Sequence, residues 1–166
     1  MSKLLDGKKV IVTGGSSGIG RGSVLEMVKE GATVCAIGRN KAALEALQQE
    51  CGCSFVVADL TADGACETAV ASAVEQLGGL TTLVNCAGIL RAGTIDNTTL
   101  ASFNETFAAN TKAVFEMMQH AIPQLKKNED GTSIINVSSV NGMQSFGGVA
   151  ACTFFALALF VILCCP

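Results

Sequence analysis

The sequence predicts an α/β fold, a doubly wound parallel sheet covered by helices on both faces. Three observations predict it. Five short apolar runs recur along the 166 residues, at 10–12, 33–37, 55–58, 80–85 and 133–138. Helical patterns separate them, at 18–29, 41–50, 62–77 and 98–127. The first run leads straight into a glycine-rich turn. Strands that are apolar along their whole length and separated by helices are buried on both faces, as in a parallel sheet. A ligand of such a sheet belongs at the carboxyl ends of its strands.

The elements follow in order. Val10-Ile11-Val12-Thr13 reads as a buried strand, and Gly14 to Gly20 as the turn that opens the helix at 18–29. Glycines there let the backbone approach a pyrophosphate without Cβ clashes, while the N–H groups of the helix start face the anion. The second strand ends at Gly38-Arg39-Asn40, with the next helix from Lys41. An acidic residue at that place accepts hydrogen bonds from a ribose diol, whereas an arginine pairs with a 2′-phosphate, so Arg39 points to NADP over NAD. Arg21, just after the glycine turn, reads equally as a second positive charge for the phosphate and as an exposed helix residue. The third run ends at Asp59-Leu60, the fourth at Asn85-Cys86-Ala87-Gly88, and the fifth delivers Ser138-Ser139. In the long pattern at 98–127, Pro123 should kink or end the helix. His120 reads as a surface residue of that helix and Lys126 to Gly131 as a polar turn.

These residues, in this order, resemble the short-chain dehydrogenase/reductase family. The spacing Thr13-Gly14-x-x-x-Gly18-x-Gly20 is similar to its cofactor turn, Asn85-Cys86-Ala87-Gly88 to its Asn-Asn-Ala-Gly segment, and Ile135 to Val140 to the strand that carries its catalytic serine. The likeness covers roughly residues 6 to 151. It implies a Rossmann-type fold, C-terminally truncated, with a nicotinamide dinucleotide cofactor and hydride transfer to or from a carbonyl or secondary alcohol. By the same resemblance Thr13, Gly14, Ser16, Ser17, Gly18, Ile19, Gly20, Arg39, Asp59, Leu60, Asn85, Ala87 and Gly88 bind the cofactor, and Ser139 and Asn110 are catalytic.

One motif breaks. The family has a tyrosine thirteen residues after its serine and a lysine four residues further on; counted from Ser139 these positions hold Cys152 and Ala156. The chain contains no tyrosine, and its last lysine is Lys127. A serine hydroxyl orients a carbonyl oxygen but donates its proton poorly at neutral pH, whereas a phenol beside a cation can be tuned to do so. A cysteine at 152 lacks both the reach of the ring and the neighbouring ammonium. The expectation is therefore an NADP-dependent oxidoreductase framework with impaired catalysis; the alternative is a non-catalytic NADP-binding isoform that meets a partner or membrane.

Composition sets the remaining bounds. A net charge of −3 gives no basic footprint, which argues against nucleic acid as a partner. The eight cysteines carry no zinc spacing, and Cys51-Gly52-Cys53 reads as ordinary reduced thiols. No metal is expected. The polar stretch from Met1 to Asp6 lacks a signal-peptide pattern, so the cytoplasm is the default compartment. The length fits one dinucleotide-binding domain at 1–148, followed by an apolar tail at 149–166. From Val149 to Cys165 the tail carries no charge, and seventeen helical residues rise about 25 Å, short of the roughly 30 Å hydrocarbon core. Three readings compete for it: a truncated or frame-shifted end, which is preferred; a marginal membrane anchor through 149–165; and a buried helix in place of the family's active-site helix. A homo-oligomer is compatible with all three.

Overall fold

The computed structural model describes residues 3–128, 131–144 and 146–163, the last seven of these as backbone only. Five strands, β1 (Lys9–Thr13), β2 (Thr33–Gly38), β3 (Ser54–Val57), β4 (Thr82–Asn85) and β5 (Ser133–Asn136), form one sheet in the order β3-β2-β1-β4-β5. Every ladder is parallel, with Val10 facing Val34 on one side and Thr82 on the other. The helices are α1 (Gly18–Lys29), α2 (Lys41–Cys51), α3 (Ala65–Leu77), α4 (Leu100–Phe107), α5 (Ala113–Leu125) and α6 (Ala150–Leu163). This is the expected doubly wound sheet.

Alternation along the strands divides the core between the two faces. On one face Val10, Val12, Val34 and Ala36 pack with Val24 of α1 and with Leu44 and Leu47 of α2. On the other, Ile11, Cys35, Ile37 and Leu83 pack with Val70 and Ala73 of α3 and with Met117 and Ala121 of α5. Burial of a leucine such as Leu44, Leu47 or Leu83, none of which reaches solvent, is worth about 1.5–3 kcal/mol.

Several boundaries differ from those expected. The helix expected at 98–127 is two helices joined by a π-helical turn at Ala108–Lys112. That turn carries Asn110, whose side chain bonds to the backbone of Ile89 outside the helix. Pro123 lies inside α5, which ends two residues later at Leu125. α3 begins at Ala65 instead of Ala62, because Gly64 takes a left-handed φ of 72° before it. β5 stops at Asn136, short of Ser138, and Ser139 caps a short 3-10 turn over Val140–Gly142.

The first turns of α6 belong to the packed body. Ala151, Cys152, Phe155 and Ala156 are buried against Val114, with Met118 and Val149 alongside. Phe154 meets the edge of Phe103 with centroids 6.0 Å apart. No helix among the described residues is long and apolar enough to cross a membrane. Cys164 and Cys165, at the end of the expected apolar run, lie outside the described residues.

Candidate functional site

The site begins where β1 turns into α1. Gly14 holds a φ of +70°, and a Cβ there would stand 2.9 Å from the Ala87 backbone. A Cβ on Gly15 would stand 2.7 Å from the Ala36 Cβ, and one on Gly20 would land on the Gly14 carbonyl oxygen. Three different neighbours thus require glycine at three places in one turn. Thr13 fixes this turn to the strand beside it: its Oγ1 accepts hydrogen bonds from the N–H of Cys86 at 3.1 Å and of Ala87 at 3.0 Å. Thr13→Val should cost about 1–3 kcal/mol, since two part-buried N–H groups lose their acceptor, and chemical denaturation would measure the loss.

At the carboxyl ends of the strands a cavity of about 240 Å³ opens. Gly14, Ser16 and Ser17 form one wall, Gly38 and Arg39 the end of β2, Asp59 to Thr61 the loop after β3, and Ala87 to Ile89 the loop after β4. α1 starts beside it with an extended N-cap, Ser17, that makes no side-chain capping bond, and with no acidic residue in its first turn. The dipole end and its free N–H groups suit an anion. Glycine where a Cβ would fill the turn, an uncapped helix start and a cation at the cavity rim together fit a dinucleotide.

Of the cofactor residues expected from sequence, Gly14, Ser16, Ser17, Arg39, Asp59, Leu60, Ala87 and Gly88 line this cavity. Thr13 and Asn85 stand behind its wall; both are buried, and Asn85 Nδ2 donates to Asn136 Oδ1 at 2.8 Å. Gly18, Ile19 and Gly20 form the first turn of α1 and do not line the cavity, and the Ile19 side chain is exposed to solvent. Arg21 pairs with Glu50 of α2 rather than facing the cavity, so it adds no second charge there. The Asp59 carboxylate accepts from Thr61 N–H at 3.0 Å and Thr61 Oγ1 at 2.7 Å. Those bonds hold its carboxyl below the ordinary carboxylate range, and the charge of Arg39 adds to the effect.

Asn110 is buried, and both polar atoms of its amide are engaged: Oδ1 accepts from Ile89 N–H and Nδ2 donates to the Ile89 carbonyl, each at 2.8 Å. It thereby fixes the loop after β4. Ser139 and Cys152 meet through a residue that sequence reasoning passed over, Asn141. Its N–H donates to Ser139 Oγ at 3.2 Å, and its Nδ2 donates to Cys152 Sγ at 2.9 Å. Ala156 is fully buried, with the backbone beside it only 3.0 Å from a Cβ built on Gly142. His120 is half-buried on α5, apart from the cavity.

Glu105, Ala109 and Ala113 also line the cavity. Their spacing of four residues carried a readable signal, one stripe of a helix with small residues at two of its three positions. Arg91 grips Glu105 from the loop after β4, through Nη2 to Oε1 at 2.6 Å and Nε to Oε2 at 3.1 Å.

The sequence model of the short chain dehydrogenases matches residues 8–153. A 2,5-dichloro-2,5-cyclohexadiene-1,4-diol dehydrogenase, LinX, of Sphingobium indicum is 36% identical over 156 residues, which are 91% of this chain and 62% of that protein. A 3-beta-hydroxysteroid dehydrogenase of Comamonas testosteroni is likewise 36% identical, over 91% of this chain and 61% of its own length. Among solved structures, a variant short-chain dehydrogenase/reductase of Serratia marcescens superposes with a TM-score of 0.89 at 32% identity, covering 95% of this chain and 66% of its own. A short chain dehydrogenase from Mycobacterium smegmatis has the same fold, with a TM-score of 0.91 at 23% identity over 96% of this chain and 68% of its own. The chain spans about three fifths of the length of the curated relatives it matches.

Proposed function

The chain belongs to the short-chain dehydrogenase family, and from that premise we propose that its cavity takes the 2′-phosphorylated dinucleotide, NADP(H), in preference to NAD(H). One observation carries the preference: Arg39 lines the cavity at the end of β2, across from the glycine turn. In this reading the turn from Gly14 through Ser16, Ser17, Gly18, Ile19 and Gly20 holds the pyrophosphate against the start of α1. Asp59 and Leu60 flank the adenine. Thr13, Asn85, Ala87 and Gly88 keep the two walls in register. When bound, the nicotinamide supplies or accepts a hydride. The family reaction we assign to this framework is hydride transfer to or from a carbonyl or secondary alcohol, with Ser139 Oγ orienting the substrate oxygen and Asn110 positioning the loop at Ile89.

We further propose that this chain performs the reaction poorly. The favouring observation is the pair of residues at the acid and cation positions: Cys152 is buried and held by Asn141, and Ala156 is fully buried. Neither offers a phenol or an ammonium. Residues 1–148 form the dinucleotide-binding unit in this proposal, and 149–166 an apolar tail whose first turns are recruited into that unit. A cytoplasmic location belongs to the same reading.

Calorimetric titration with NADPH and NADH tests the cofactor assignment. The chain should bind NADPH more tightly, and Arg39→Asp should reduce or reverse the difference, since a lost charge-assisted phosphate contact costs about 1.5–3 kcal/mol. Equal affinity of the unaltered chain for the two cofactors would remove the argument for Arg39.

A further inference from the structure

We propose that Glu105 sets the discrimination between dinucleotides with and without a 2′-phosphate, acting as a negative counterweight to Arg39, and that Arg91 limits its strength by pairing with it. The inference rests on the reading that Arg39 meets the phosphate. It adds two residues from different elements.

Glu105 stands on α4 one helical turn before Ala109 and two before Ala113, and all three line the same cavity as Arg39. Its carboxylate therefore belongs to the field that an incoming phosphate would meet. The cavity lining holds one cation, Arg39, and two carboxylates, Asp59 and Glu105. By formal charge alone that lining repels an anion. Asp59 is spent on Thr61, through two hydrogen bonds. Glu105 is spent on Arg91, whose guanidinium takes both of its oxygens. That pairing holds the Glu105 carboxyl below its usual range, and the charge of Arg39, which lines the same cavity, adds to the effect.

Arg91 does not itself line the cavity. It acts from outside, through Glu105, and is a positioning residue. A bidentate guanidinium also fixes where the carboxylate points, which a single lysine contact would not. Glu105 and Arg91 are each about half exposed, at 51% and 49%, so both can be replaced without opening the core.

The test is the dissociation constant of the full chain for NADPH and for NADH, measured side by side in low and high salt. Glu105→Gln should tighten NADPH by about fivefold and change NADH by less than about twofold, because the phosphate alone adds charge near Arg39. The gain should shrink in high salt. Arg91→Gln should weaken NADPH by a similar factor in the unaltered chain but have little effect when Glu105 is already glutamine. Glu105→Asp keeps the charge and should keep the original discrimination. Equal shifts of both dinucleotides in Glu105→Gln, or none, would overturn the role of Glu105 while leaving that of Arg39 standing. A flat response to Arg39→Asp would overturn the reading of Arg39, and this inference with it.

Discussion

Gly20→Ala should abolish dinucleotide binding, raising the dissociation constant by at least about a hundredfold, and should lower stability at the same time. A Cβ at Gly20 lands on the Gly14 carbonyl oxygen and 2.7 Å from its carbon, and both are backbone atoms that no rotamer change can move. Relief requires α1 to slide away from the turn, and that slide pulls its N–H groups off the anion they would face. Overpacking of this kind costs about 1–3 kcal/mol before any ligand is considered. Gly22→Ala is the matched control. Its Cβ would meet nothing within 4 Å inside the same helix, so that variant should gain roughly 0.5–1 kcal/mol and keep its affinity. Titration and thermal unfolding of the two variants check both halves, and undiminished binding by Gly20→Ala would remove the phosphate role of this turn.

Carbonyl reduction by the unaltered chain should fall short of that of a relative with tyrosine and lysine by about 10²–10⁴-fold, the range that general acid catalysis supplies. Cys152→Tyr alone should not restore it. Ala156 is fully buried, so no ammonium stands ready to tune a phenol there, and a lysine would have to displace the residues packed around that position. Stopped-flow or steady-state loss of NADPH absorbance over a panel of small ketones and aldehydes is the measurement. Brisk turnover by pure protein, abolished by Ser139→Ala, would contradict the proposal and make another group the proton donor.

The fold was legible because its signals are local. The start of α1 could be read from the glycine turn that leads into it, and the strands from their unbroken apolar runs. The π-helical turn at Ala108–Lys112 was not legible, because the apolar period runs through it and Asn110 finds its partner, Ile89, on a separate loop. Arg21 and Arg39 look alike in sequence as cations near the turn. Only the packing of α2 beside α1 gives Arg21 to Glu50 and leaves Arg39 at the cavity. Glu105 was missed for a related reason. Its four-residue spacing with Ala109 and Ala113 is visible, but which face of α4 meets the cavity is decided by how the helix docks on the sheet.

The division of the core between two faces has a consequence for how the chain assembles as it is made. Strand β1 sits between β2 and β4, yet every fully buried residue of the first face, apart from Val84, is in place by Cys53: two strands, β1 and β2, with α1 and α2 already over them. The other face waits. Ile11, Cys35 and Ile37 point to it from the start, but their cover comes from α3 and from α5, which is complete only at Leu125. Through that interval a growing chain carries an apolar sheet surface that is bare at first and only half covered once α3 is made, the kind of intermediate that associates with its neighbours. The window closes when α5 docks, and the residues that end it are Met117, Ala121 and Leu125.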